Sequence, residues 1–344
     1  MQAASKTAVV ILNWNGKDFL ARFLPGLISG TPSGTRIIIA DNGSSDDSVR
    51  FVQENFPAAG IIRLGKNYGF SGGYNEALLK VEAEYFLLLN SDVEVTPGWL
   101  EPLEELMDTD KKIAACQPKI RSLSEREKFE YAGAAGGFID SYGYPFCRGR
   151  IFSSVEEDHG QYDDETEILW ASGACMMVRA EYFKAAGGFD GDFFAHMEEI
   201  DLCWRFRNMG YRVLYCPHSM VFHLGGGTLP RKNPRKTYLN FRNNLVMLFK
   251  NLPSSRMIPV FVLRFIFDGI AGLKFLLTDH YLDCFAVLRA HFYFYFHLPR
   301  LLKKRRACRK SLPRHGKNPM FGGNIVLEYF VMGKKRFSDI APGK

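Results

Sequence analysis

Over the first 120 residues, apolar positions gather in short β-branched runs: Thr7–Leu12, Arg36–Ala40, Ile61–Leu64, Tyr85–Leu89 and Ile113–Cys116. Between them, near residues 17–29, 46–56, 72–82 and 98–108, apolar positions recur at helical spacing. This alternation predicts an α/β fold with a mostly parallel central sheet covered by helices. Ser44 or Ser45 can cap the second helix, and Asp46 and Asp47 suit its positive end. Residues 121–165 are polar and Gly-rich, and read as a long loop or a weak β excursion. Order returns with the apolar run Ile168–Val178, helices around Ala180–Ala186 and Glu198–Met209, and strands Arg212–Cys216 and Met220–His223. A glycine hinge, Gly225–Thr228, precedes a basic stretch.

From Met257 to Pro299 the chain turns aromatic and aliphatic, yet its longest uncharged run, Ala290–Pro299, has ten residues. That is too short to span a bilayer. On a helical wheel Arg256, Arg264, Asp268, Lys274 and Asp279 share an arc of roughly 140°, and the other side is almost wholly apolar. This is the pattern of a helix lying in a membrane interface; the alternative is a helix packed on the protein's own core. Eight basic residues and no acid follow between Arg300 and Arg314, as an anionic leaflet would favour.

Composition narrows the classes. With 47% hydrophobic and 24% charged residues, global disorder is excluded. The net charge of +7 is local: residues 300–344 hold 13 Lys/Arg against two acids, leaving the first 299 with 31 basic and 35 acidic residues. A slightly acidic body does not fit a nucleic-acid-binding core. Seven cysteines without a C-x-x-C favour neither a disulfide framework nor a zinc site, and no secretory apolar stretch opens the chain. A reducing cytoplasmic setting is the expectation.

Three polar motifs sit just after predicted strands: Asn13-Trp14-Asn15-Gly16, Asp41-Asn42-Gly43 and Asn90-Ser91-Asp92. Ligands of open α/β sheets bind beyond the carboxyl ends of the strands, so the three point to one polar pocket, although each alone is ordinary turn chemistry. Lys66–Asn75 follows a strand and opens a helix, where backbone N–H groups suit phosphate. No G-x-G-x-x-G and no G-K-[ST] occurs there, which disfavours a dinucleotide oxidoreductase and a P-loop enzyme. Asp92, with Asn90, suits a hard divalent cation shared with a diphosphate. In Glu198-Glu199-Ile200-Asp201, mutual repulsion and burial raise carboxylate pKa values, as a general base requires; Asp201 is expected to brace the helix. His223, beside the hinge, is a candidate metal ligand.

These motifs, in series, resemble family 2 glycosyltransferases of the GT-A fold, in the bacterial rhamnosyltransferase-like branch. The strongest matches are VVILNWNG, IIIADNGSSDDS, LGKNYGFSGGYNEAL, LLLNSDVEVTPGWL, WASGACMMVRAEYFKAAGGFD and FFAHMEEIDLCWRFRNMGYRV. The resemblance runs from about Thr7 to Asn251. It implies a glycosyltransferase domain over residues 1–251, with a nucleotide-sugar half (1–120) and an acceptor half (121–251), followed by a membrane-associating helical and basic region (252–344). It places Asn13, Trp14, Asn15, Asp41 and Asn42 at the nucleoside, and Lys66, Asn67, Gly72 and Asn75 near the diphosphate or donor sugar. Asn90-Ser91-Asp92 stands at the family's D-x-D metal motif, so Asp92 and His223 become ligands of Mg²⁺ or Mn²⁺, with Asn in place of the first Asp. Trp170 and Gly173 fall in the acceptor region. Glu199 stands where the family has its catalytic base, with Glu198 as the alternative. The implied reaction moves rhamnose or another hexose from a dTDP- or UDP-sugar, with inversion, to a growing glycan on a polyprenyl diphosphate. The enzyme would work peripherally at the inner face of the cytoplasmic membrane. An inactive sugar-nucleotide-binding module and a membrane-docking scaffold are the competing readings.

Overall fold

The computed structural model describes residues 5–225, 233–310 and 320–340. β1 (Ser5–Asn13), β2 (Arg36–Asp41), β3 (Gly60–Arg63) and β4 (Ala83–Leu89) are linked by α1 (Lys17–Gly30), α2 (Ser48–Asn55) and α3 (Gly69–Leu78). β4 pairs with β1, β1 with β2, and β2 with β3, all in parallel. Residues alternate between layers as strand geometry demands. Val10, Phe86 and Leu88 join Tyr74 and Trp204 on one face, while Val9, Ile11 and Leu87 join Leu20, Trp99 and Leu103 on the other.

After β5 (Val93–Val95), α4 (Glu101–Thr109) and β6 (Ile113–Ser122), the segment read as a long loop or a weak β excursion holds a small antiparallel sheet. Its strands are β7 (Gly137–Ile139), β8 (Pro145–Cys147), β9 (Arg150–Ile151) and β10 (Ser154–Val155). β11 (Thr166–Glu167), β12 (Cys175–Arg179), α5 (Ala180–Ala185), α6 (Glu198–Asn208) and β13 (Arg212–His223) complete the large sheet. β12 inserts between β4 and β6, antiparallel to both, so the sheet is mixed at its centre. β13 is one strand where two were expected. Pro217 offers no N–H, and the pairing with β6 slips between Cys216 and Met220 as a bulge without ending the strand.

α7 (Pro234–Asn251), α8 (Ser254–Leu277), α9 (Tyr281–Phe296) and α10 (Leu298–Lys310) follow. Val260, Phe294 and Leu301 belong to the same core as Trp204. α11 (Ile325–Phe330) and α12 (Phe337–Ile340) return to the small sheet, where Ile325 and Ile340 pack on Phe146 and Ile151.

The amphipathic pattern of α8 has the opposite orientation from a helix packed by its apolar side. Its polar stripe faces the protein: Arg264 and Asp268 are 2% and 1% exposed and pair at 3.0 Å. His291 Nε2 lies 3.1 Å from the Asp268 carboxylate, and the Arg264 guanidinium lies over the Tyr144 ring. Phe265, Ile270, Leu273 and Leu277 of α8 are exposed, as are Phe285, Phe292 and Phe296 of α9. Among the described residues, no helix is long and apolar enough to cross a membrane. The basic cluster is partly spent on the body. Arg300 pairs with Asp192, Lys304 with Asp190 and Asp192, and Arg305 donates to the carbonyls of Phe249 and Leu252. Lys303, Arg306 and Lys310 remain exposed; Arg314 lies outside the described residues.

Candidate active site

The strand ends converge as the polar motifs predict, but several side chains serve the scaffold. Asn13 is buried and donates to Ser44 and Ser48 Oγ at 3.2 and 2.9 Å. Asn15 Oδ1 accepts from the Ser45 N–H at 2.7 Å. Asp41 is buried and accepts from the Ser44 N–H, while Asn42 donates to the Gly69 carbonyl and accepts from the Tyr68 N–H. These bonds lock the β1 and β2 ends to the loop before α3. Trp14 is 50% exposed at this edge, an open platform for a base. Lys66 and Asn67 are exposed, and the Lys66 ammonium lies over the Tyr68 ring.

The start of α3 does not offer its N–H groups to phosphate. Phe70 and Ser71 N–H both donate to the Phe194 carbonyl, at 2.7 and 3.3 Å. Gly69, at φ +74°, makes this approach possible, since a Cβ there would lie 2.5 Å from the Phe194 ring. Gly72 packs against Tyr68, where a Cβ would stand 3.0 Å from that residue's own Cβ. The Asn75 amide donates to the Phe189 carbonyl and accepts from its N–H, both at 2.9 Å. It clasps α3 to the segment before α6. Trp170 is likewise closed to an acceptor: it is 3% exposed, and its indole N–H donates to the Phe138 carbonyl. Gly173 is buried against Phe70.

Asp92, beyond β4, and His223, ending β13, meet with Oδ1 and Nε2 3.2 Å apart; Asn90 Nδ2 lies 3.4 Å from the same Nε2. On the far side of the ring, Nδ1 lies 3.4 Å from Glu130 Oε2. Sequence reasoning missed Glu130, which sits in the segment read as irregular and carries no motif. Burial opposes charge on His223, but Glu130 and Asp92 outweigh it and lift the imidazole to about 10. Burial also opposes charge on Asp92, and the bond and charge of His223 hold its carboxyl below the usual range. Once the imidazole proton is displaced, the donor set fits a divalent cation. Adjacent ligands of an octahedral ion with bonds of ~2.1 Å stand about 3 Å apart, close to the separation found here. Among the described residues no group of three or more His, Cys, Asp or Glu side chains is placed to hold a metal. Phosphate oxygens and water would complete the shell, with Glu130 orienting the imidazole from behind. Gly225 closes this corner, and Gly226–Thr228 lie outside the described residues.

The glutamate pair opens α6 after an unusual turn. Phe194, His196 and Met197 all have left-handed φ, at 65°, 71° and 72°, which non-glycine residues hold only under outside constraint. The constraint comes from α7. Asn243 Nδ2 shares its two hydrogens among the carbonyls of Phe193, Ala195 and His196, at 3.0, 2.9 and 2.8 Å. This role for Asn243 left no trace in the sequence. Burial, with the charge of Lys236, lowers His196 to about 4, so its imidazole is neutral. Glu198 is buried, and burial together with the neighbouring Glu199 charge drives its carboxyl far up. Glu199 is half-buried, and burial lifts it to about 7. One carboxyl oxygen of each lacks a partner. The Cys147 thiol feels the charges of both Glu130 and Glu199. Asp201 is the brace expected of it, accepting from Arg205, Lys250 and Asn251 at 2.9, 2.9 and 2.8 Å.

A mixed α/β sheet whose strand ends carry a carboxylate–imidazole corner, together with a second carboxylate that holds its proton at Glu199, fits the class of group-transfer enzymes acting on phosphorylated donors. Residues 8–187 match the family described as Glycosyl transferase family 2, and the chain belongs to it; it is a glycosyltransferase of rhamnosyltransferase-like type. It is 25% identical over 230 residues to the N-acetylglucosaminyl-diphospho-decaprenol L-rhamnosyltransferase of Mycobacterium tuberculosis, covering 62% of this chain and 75% of that one. It is 23% identical over 220 residues to the rhamnosyltransferase WbbL of Escherichia coli, covering 62% and 82%. Among solved structures, GalNAc-T7 with UDP, GalNAc and Mn²⁺ superposes with a TM-score of 0.56 at 16% identity, over 73% of this chain and 48% of that chain. The mannosyltransferase PcManGT of Pyrobaculum calidifontis, with GDP-Man and Mn²⁺, superposes at 0.51 and 12% identity, over 91% and 82%. The GT-A fold is therefore the fold of this chain.

Proposed function

We propose that this enzyme moves rhamnose or another hexose, with inversion, from a dTDP- or UDP-sugar to a glycan acceptor carried on a polyprenyl diphosphate. The observation that carries this reading is Glu199, a carboxyl raised to about 7 by burial with one oxygen unpartnered, in a chain whose Asp92 and His223 meet at the strand ends. Its ionised form takes the proton from an acceptor hydroxyl. The freed oxygen attacks the anomeric carbon from the face opposite the diphosphate. The bond from that carbon to the diphosphate oxygen breaks, its electron pair leaves with the nucleotide, and the configuration inverts. Asp92 and His223 would hold Mg²⁺ or Mn²⁺, which would supply positive charge to offset that of the departing diphosphate. Two structural neighbours that contain Mn²⁺ support the cation, and the mycobacterial relative's diphospho-decaprenol acceptor supports the lipid carrier.

The deciding experiment offers purified protein dTDP- and UDP-sugars, Mn²⁺ or Mg²⁺, and a lipid diphosphate glycan. Product with inverted anomeric configuration is expected; a retained configuration refutes the mechanism. Asp92→Asn should lower kcat/KM about 10²-fold, as loss of several kcal/mol of leaving-group stabilisation implies. It should also raise the Mn²⁺ concentration needed for half-maximal rate.

The exposed apolar side of α8 and α9 supports a seat on the cytoplasmic face of a membrane, with Lys303, Arg306 and Lys310 toward anionic headgroups. Phe265 and Leu273 stand 61% and 55% exposed there. Burying each in lipid is worth about 1.5–3 kcal/mol, so the double change F265E/L273E should cut sedimentation with phosphatidylglycerol vesicles at least tenfold. Equal sedimentation of parent and variant would remove this face from the membrane.

A further inference from the structure

A cleft of about 660 Å³ opens between the first half of α7 and α9. Its charged lining is Arg235 and Arg242 from α7 and Arg289 from α9. Among the described residues, none of the three has a carboxylate at ion-pair distance, and the nearby Asp190 and Asp192 are taken by Lys250, Lys304 and Arg300. The guanidinium groups rest on rings instead. Arg235 lies over Phe194 at 5.0 Å, Arg289 over Tyr238 at 4.6 Å, and Arg242 over Tyr238 and Tyr293 at 5.4 and 5.2 Å. Arg242 is held further by donating from Nη2 to the carbonyls of Asp192 and Phe193. Three positioned guanidinium groups without counter-charges suit the several oxygens of a diphosphate.

The other wall is apolar. Leu282 and Phe285 line the cleft and are 54% and 64% exposed, and they continue into the apolar side of α9 and α8 described above. Uncompensated cations therefore meet an open hydrocarbon surface within one cleft. A nucleotide has no use for that surface, and an isoprenoid chain does. Phe194 completes the geometry. It forms part of the cleft wall, it is clamped to the first turn of α3, and it lies four residues before Glu198.

The geometry points to this cleft as the seat of the acceptor's polyprenyl diphosphate: Arg235, Arg242 and Arg289 take the diphosphate, and Leu282 and Phe285 take the first isoprene units. The sugar attached to that diphosphate then extends past Phe194 toward Glu199. This assignment rests on the lipid-linked acceptor reading above.

The test uses the full chain with three probes in mild detergent: farnesyl diphosphate, farnesol and inorganic diphosphate. The parent is expected to bind farnesyl diphosphate at least about tenfold tighter than either partial probe. R235Q/R289Q, two exposed positions, should weaken farnesyl diphosphate about tenfold or more, while farnesol binding and the thermal shift given by UDP or dTDP stay as in the parent. If the double variant melts early, R289Q alone carries the same comparison with a smaller loss. A parent that prefers farnesyl diphosphate but a variant that binds it equally well overturns the cleft and leaves the lipid acceptor standing. A parent without that preference overturns the lipid acceptor and the cleft with it. Loss of the nucleotide shift in the variant would transfer these arginines to the donor and overturn the assignment.

Discussion

Glu199→Gln is expected to lower kcat about 10²–10⁴-fold, the usual worth of a positioned general base, with the nucleotide-induced thermal shift retained. The cause is chemical, since Gln keeps the shape of the side chain and cannot take a proton. The parent's activity should rise with pH up to about 7, because burial keeps Glu199 protonated below that value. In the variant that limb should vanish. Stability separates this loss from unfolding. A carboxyl raised from 4.5 to about 7 stays protonated in the folded chain while the unfolded chain ionises, so this group's contribution falls as pH climbs through that window. Gln removes that penalty, and the melting temperature of the variant at pH 8 should equal or exceed the parent's. A normal rate in E199Q with a collapsed rate in E198Q would exchange the roles of the two glutamates.

Asp201→Ala should be the most damaging single change to stability, about 3–5 kcal/mol by denaturant titration. Asp201 is fully buried, and its removal strands Lys250, which is 3% exposed, and Arg205 beside it. Lys250 keeps Asp190 as a partner, which bounds the loss. A change under about 1 kcal/mol would mean the network relaxes onto water. Lys250 belongs to α7, so the same network also ties α7 to α6. The variant should therefore lose catalytic rate before it unfolds.

What was readable in the sequence divides by range. The parallel half was legible because β1, β2 and β4 announce themselves as apolar runs, each closed by a polar residue at its carboxyl end. The direction of β12 was not, because an apolar run carries no sign of which way it lies in a sheet. The brace role of Asp201 and the pairing of Asp92 with His223 were foreseeable from residue type and place. The clamp on α3 was hidden, because the carbonyl that consumes its first N–H groups belongs to Phe194, more than 120 positions away. Glu130 and Asn243 were hidden for the same reason: each acts on a partner distant in the chain, and neither sits in a pattern of its own. For α8 the wheel gave both faces correctly, but only packing against Tyr144 and His291 decided that the charged one turns inward.

The turn ahead of Glu198 has a kinetic consequence. The carbonyls of residues 193 to 196 are all occupied, from one flank by Asn243 and Arg242 and from the other by the start of α3. A segment riveted at every peptide does not swing. If Glu199 is the proton acceptor, it stands at the end of a fixed segment, and the acceptor hydroxyl has to be delivered to it. On the proposed reading, catalysis therefore asks for movement of the acceptor and none of this turn.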